Sequence, residues 1–132
     1  ANEFARLAPK LGVEAWQALR LANGNPRVAL HQPGPGVGGH ALPTESWFLA
    51  ERFPDGTRVL KQARAVNDAM PAYVYETLLQ AVRDLPRPKI ALLGFTYKAG
   101  VDDTRAAPSL ELLERLKANP NVEVAVYDPH VK

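Results

Sequence analysis

Residues 90–129, IALLGFTYKAGVDDTRAAPSLELLERLKANPNVEVAVYDP, carry the pattern that decides the fold. IALLGF is a short apolar run of the buried-strand type. A polar loop follows, YKAGVDDTRAAP. Ser109 to Ala118 then reads as a helix with Leu110, Leu113 and Leu116 on one face. Asn119, Pro120 and Asn121 end it, and VEVAVYDP is a second strand with Asp128 at its end. Strand, loop, helix, strand is a βαβ unit. Two strands do not make a stable parallel sheet covered on both faces. The expectation is that this stretch begins a doubly wound domain whose remainder lies outside the chain.

Upstream of PRPK, residues 86–89, the texture is helical. Val59, Ala63, Val66, Met70, Tyr73, Thr77, Ala81 and Leu85 recur at alternating steps of three and four, and Leu60, Val74, Leu78 and Val82 widen the stripe. This predicts one helix of about 28 residues, roughly 42 Å long, bent near Pro71. So broad a stripe calls for a large partner surface, either a core or a subunit interface. Residues 2–11 show a helical pattern that Pro9 disturbs and Gly12 stops. A second pattern runs over residues 13–23, broken by Asn23, Gly24, Asn25 and Pro26. Thr44 is expected to cap a short helix reaching about Arg52, with Glu45 in its first turn and Phe48 and Leu49 buried.

Composition narrows the class. The chain has 132 residues, 46% apolar and 23% charged, with a formal net charge of +2. That charge is too small to argue for nucleic acid or an anionic membrane. No apolar run approaches the roughly 18–20 residues of a membrane span. The chain has no cysteine, which removes disulfides, thiolate metal sites and thiol nucleophiles and agrees with a reducing, cytoplasmic setting. His31, His40 and His130 lack metal-ligand spacing, so no metal is expected.

The candidate chemistry lies in two loops. HQPGPGVGGHALPTESWF, residues 31–48, holds four glycines and three prolines directly before a helix start. Gly34, Gly36, Gly38 and Gly39 let backbone N–H groups approach a ligand, and a helix N-terminus suits an anion or carbonyl oxygen. A tight crossover between helices would use the same residues. The loop GFTYKAG after the first strand lacks GxGxxG. It still occupies the ligand-binding end of an open α/β sheet. Lys98 and Arg105 there can meet phosphates, Asp102 and Asp103 can hold Arg105 or cap a helix, and Asp128 can bind a ribose or make a turn with Pro129.

Several motifs in series resemble the UDP-glucose/GDP-mannose dehydrogenase family, especially its branch acting on UDP-N-acetylhexosamines such as UDP-N-acetylmannosamine. They are NEFARLAPKLGVEAW, LANGNPRV, HQPGPGVGGHALPTESWFL, ARAVNDAMPAYV and LLGFTYKAGVDDTRAAPSLELLERL, in family order over essentially the whole chain. The resemblance implies a three-part enzyme: an NAD-binding Rossmann domain, a helical middle domain that forms the dimer, and a Rossmann-like domain for the nucleotide of the sugar. Residues 1–85 would then be an N-terminally truncated helical dimerisation domain. Residues 86–132 would begin the C-terminal UDP-sugar-binding domain.

The implied reaction is a two-step, NAD-dependent oxidation of a UDP-sugar C6 alcohol to a uronate, for surface polysaccharide synthesis. It also implies roles. Gly36, Gly38, Gly39 and His40 wrap the sugar. Arg27 reaches the neighbouring subunit's substrate in a homodimer, Lys98 meets the nucleotide sugar, and Arg105 lies near the cofactor pyrophosphate. In relatives a cysteine nucleophile follows GGH, and an aspartate lies four residues later. Here those positions are Ala41 and Glu45. Without the NAD domain or the thiol, the fragment by itself is expected to be inactive. The rival reading, from another class, is a non-catalytic dimerisation or interaction module, or an inactive paralogue.

Overall fold

In a computed structural model the predicted βαβ unit forms as read; the structure describes residues 1–131. Strand β1 (Lys89–Leu93) lies parallel to β2 (Glu123–Tyr127), with Ile90 opposite Val124 and Leu92 opposite Val126. Helix α6 (Pro108–Lys117) makes the crossover. Strand β1 alternates as a pleat requires, whereas in β2 only Val124 is drawn inward. Ile90 is buried and Leu92 and Val124 are half-buried, while Ala91, Leu93, Ala125 and Tyr127 are exposed. One face of this sheet is therefore covered at Ile90, Leu92 and Val124, while Val126 beside Leu92 is exposed. The core gathers Ile90, Leu112 and Leu116, with Val74, Tyr75, Leu78 and Val82 packed against them. Leu113 is buried as read, but Leu112 takes the inner place expected for Leu110, which is half-buried.

Those packing residues lie on α5 (Met70–Val82). The single long helix of the sequence reading is two, because α4 (Arg58–Asp68) ends before Ala69 and α5 begins after it. Proline is the cause. Pro71 has no N–H to give the carbonyl of Asn67 and its ring crowds that turn, so the break falls two residues before the predicted bend.

Helix α3 (Ala41–Arg52) begins one turn earlier than expected, with His40 at its N-cap. Thr44 is thus inside the helix, its hydroxyl donating back to the His40 carbonyl at 2.6 Å, a bond available to threonine at helical i−4 geometry. Phe48 and Leu49 are 64% and 52% exposed, not buried. Only Ala50 of this helix is buried, so its large apolar side chains form no core among the described residues.

Residues up to Gly34 form a compact unit of their own. Its first helix stops at Leu7 (α1, Asn2–Leu7), and Ala8–Leu11 tighten into a 3-10 turn around Pro9, closed by Gly12 at φ +67°. Helix α2 (Ala15–Asn23) is capped by Glu14, whose carboxylate accepts from the N–H groups of Trp16 and Gln17. Ala8 and Leu19 are its buried apolar residues. Asn23 clamps the following loop in both directions: its amide donates to the Leu30 carbonyl at 2.9 Å and accepts from the Leu30 N–H at 2.7 Å.

Candidate functional site

The second unit, from Pro35 onward, brings the glycine loop against the β1–α6 loop. Gly39 donates its N–H to the Arg105 carbonyl at 3.0 Å. Gly38 is pressed so closely onto Ala106 that a Cβ built on it would lie 2.2 Å from the Ala106 carbonyl oxygen. Gly39 holds φ +94°, and its own Cβ would meet the Tyr97 ring at 2.8 Å. Only glycine satisfies both demands at once, since L side chains avoid that φ and have no room there. Gly36 faces the Pro108 ring. Ala106 on the opposite side holds φ +45°, a left-handed conformation uncommon for a residue with a Cβ. Both loops are thus shaped to fit one another.

The glycine contacts deliver the chain to α3. Ala41 is the first residue of that helix and Glu45 lies one turn on, which puts them on the same helical face. Both are exposed, as is His40.

The β1–α6 loop is fixed from within. Tyr97 donates its N–H to the Asp103 carbonyl at 3.1 Å. The Asp103 carboxylate takes the Arg105 N–H at 2.9 Å and the Arg105 Nε at 2.9 and 3.0 Å, and Nη2 completes a forked ion pair. Asp103, not Asp102, therefore holds Arg105. The Arg105 guanidinium, then its backbone N–H, lower the Asp103 pKa to about 2, with a smaller contribution from the charge of His40. The same pairing raises the Arg105 pKa. A depressed carboxyl pKa contributes stability above the unfolded value, which is lost as pH falls through the folded one. The loop around Arg105 is expected to loosen as pH falls from about 4 toward 2, and Asp103→Asn should abolish that transition. A titration followed by the NMR signals of Tyr97 and Arg105 checks this; signals that move identically in the variant would refute it.

Asp128 resolves toward the turn. Its carboxylate accepts from Phe95 N–H at 2.7 Å, His130 N–H at 2.8 Å and Val131 N–H at 3.3 Å. These backbone donors, His130 first and Phe95 next, lower its pKa and tie the end of β2 to the end of β1. Lys98 is exposed, and its backbone carbonyl accepts from the Thr96 hydroxyl at 2.8 Å. Arg27 belongs to the first unit, exposed, with its backbone N–H on Asn25.

The turn after β1 lacks the GxGxxG spacing, and Gly38 and Gly39 lie against the backbone of residues 105–107. Arg105 still presents a guanidinium 64% exposed beside its partner. Among the described residues no group of three or more His, Asp or Glu could hold a metal ion. Sequence reasoning missed Tyr97, Ala106 and Asn67. Asn67 carried a signal, as an asparagine inside a helical stripe, where that side chain is a poor helix former.

Helices running into a parallel βαβ unit, with a glycine loop seated on the βα loop, are consistent with a helical domain followed by the start of a Rossmann-like α/β domain. Residues 1–69 match the central domain of the UDP-glucose/GDP-mannose dehydrogenase family, and residues 91–132 match its UDP binding domain. The chain belongs to that family, whose members are enzymes. It is 39% identical over its whole length to an NDP-N-acetyl-D-galactosaminuronic acid dehydrogenase of Ralstonia nicotianae, covering 31% of that protein. It is 41% identical to a UDP-N-acetyl-D-mannosamine dehydrogenase of Methanococcus vannielii, with 98% of this chain and 30% of the relative aligned. The structure of the UDP-N-acetyl-mannosamine dehydrogenase Cap5O from S. aureus superposes with a TM-score of 0.90 at 39% identity, over 99% of this chain and 31% of that one. The chain thus spans about a third of the length of these relatives. Among the described residues no helix is long and apolar enough to cross a membrane.

Proposed function

We propose that this chain is part of an NAD-dependent dehydrogenase that oxidises the C6 alcohol of a UDP-N-acetylhexosamine to the uronate. The observation that carries the reading is the Gly39 N–H bond to the Arg105 carbonyl. It joins the loop leading to position 41 with the loop bearing Lys98 and Arg105, two motifs far apart in sequence. Residues 1–85 act as the helical dimerisation domain of a homodimer and residues 86–132 begin the nucleotide-sugar domain. Exposed Trp47, Phe48 and Phe53 on and just after α3 support a partner surface in the helical part.

Bound NAD would supply the acceptor for hydride; the full oxidation to a uronate takes two transfers per sugar, the second drawing on a nucleophile at position 41. The chain's own residues do the rest. Lys98 and Arg105 offer positive charge to phosphates, and Arg27 serves the neighbouring subunit's substrate. Gly36, Gly38, Gly39 and His40 bring the loop backbone close to the sugar. Position 41 opens a twelve-residue helix, where the dipole favours a thiolate; a cysteine there would be an activated nucleophile for the aldehyde. Ala41 offers no such atom, so covalent capture is closed to this sequence at that position. Glu45, on the same face, can take a proton from water or substrate.

The full-length protein, as it stands and as Ala41→Cys, is to be supplied with NAD and a panel of UDP-hexoses, and NADH counted per sugar. The expected yield is two from Ala41→Cys and at most one from the parent. No NADH from either form on any sugar would favour a dimerisation or interaction module that has lost catalysis, the reading that Ala41 itself favours.

A further inference from the structure

We infer that Asn67 is a positioning residue that sets the register of the glycine loop and, through it, the placement of position 41. Its side chain grips one residue of that loop from both sides. Oδ1 accepts the Val37 N–H at 2.7 Å and Nδ2 donates to the Val37 carbonyl at 3.3 Å. Nδ2 also donates to Asp68 Oδ1 at 3.1 Å, and that same oxygen accepts from Arg64 Nη2. The amide orientation is therefore dictated twice, by a donor facing its oxygen and two acceptors facing its nitrogen. Arg64, whose side chain is 13% exposed, anchors the network to α4.

The backbone of Asn67 adds a second contact. Pro71 leaves its carbonyl without the helical donor, and Gly36 sits against that oxygen, where an added Cβ would lie at 3.4 Å. Asn67 thus meets the loop at residues 36 and 37, immediately before Gly38 and Gly39 settle on Ala106 and Arg105. Only Gly38, Gly39 and His40 lie between Val37 and Ala41, so a slip at Val37 passes directly to the start of α3. An aspartate of the same shape keeps an acceptor for the Val37 N–H but loses the donor, and sets its second oxygen against the Val37 carbonyl and the Asp68 carboxylate. Alanine loses both bonds.

The clamp is tested by hydrogen exchange and mass spectrometry on the full-length protein, reading the peptide over residues 36–42. Near pH 7, Asn67→Asp and Asn67→Ala should each lower protection, the intrinsic rate divided by the observed one, about tenfold or more. Toward about pH 4 a protonated aspartate regains its donor, so protection should return in Asn67→Asp and not in Asn67→Ala. A general loss of helix stability would raise exchange throughout α4 and α5 and show no acid recovery. Unchanged exchange over 36–42, or identical behaviour of the two variants at both pH values, overturns the inference. Its catalytic consequence rests on the dehydrogenase reading: in the Ala41→Cys protein, Asn67→Asp should lower kcat about tenfold or more with KM little changed. An Ala41→Cys parent that makes no NADH counts against the dehydrogenase reading and leaves the exchange result to decide the clamp. An active parent whose kcat is untouched by Asn67→Asp counts against the clamp.

Discussion

Gly38→Ala should lower the folding stability of this chain by about 3 kcal/mol, the upper part of the range for overpacking. The new methyl would meet the Ala106 carbonyl oxygen at 2.2 Å, its carbon at 2.9 Å and the Ala107 Cα at 3.0 Å. All three are backbone atoms, so no side-chain rotation relieves the clash. Ala106 is already held at φ +45° and has little freedom to retreat. The loops must part, which also breaks the Gly39–Arg105 bond and moves Tyr97 from the face of Gly39. Urea denaturation gives the loss, and exchange of the Gly39 amide locates it. A loss below about 1 kcal/mol would mean the two loops are not interlocked. Under the proposed function, the same substitution in the Ala41→Cys protein should reduce NADH formation far more than its effect on the folded fraction explains.

Leu116→Ala is the second large effect, expected at about 3 kcal/mol within the usual range for truncating a buried leucine. Leu116 is fully buried and packs with Ile90 and Leu112, with Val74, Tyr75, Leu78 and Val82 of α5 closing the cluster. The Tyr75 hydroxyl at the edge of that cluster already accepts from Asn119 Nδ2 at 3.1 Å, so the lost contacts and the residual void both count. Val59→Ala is the companion measurement. Val59 is 84% exposed on α4, and its truncation should change the stability of this chain by less than about 0.5 kcal/mol. Equal losses from the two variants would contradict the assignment of the core to α5, α6 and the sheet.

The βαβ unit was legible because it is local. Apolar run, turn residues, leucines at helical spacing and a second apolar run specify it without long-range help. The stops at Gly12 and after Asn23 were legible for the same reason. The stripe from Val59 to Leu85 was read correctly as helical as far as Val82, where α5 ends, and wrongly as one helix. Periodicity reports which face is apolar, and it is nearly blind to a single missing hydrogen bond. The start of α3 was misplaced because Thr44 is a good cap by type, and only the docking of Gly38 and Gly39 fixes where the chain first turns. Phe48 and Leu49 are apolar by type, and which surface they meet is not encoded in their spacing.

For the site, sequence determined the residue types: the glycines, Ala41 and Glu45 four positions apart, and the charges of Lys98 and Arg105. Tertiary structure decided what those residues meet. It set Gly39 on Arg105, gave Asp103 rather than Asp102 to the guanidinium, spent the carboxylate of Asp128 on backbone N–H groups, and put Asn67 on Val37. Each of these choices is a contact between segments or a hydrogen bond whose partner depends on backbone conformation. A side chain's type fixes what it can bond, and only the folded chain fixes which acceptor or donor lies within reach.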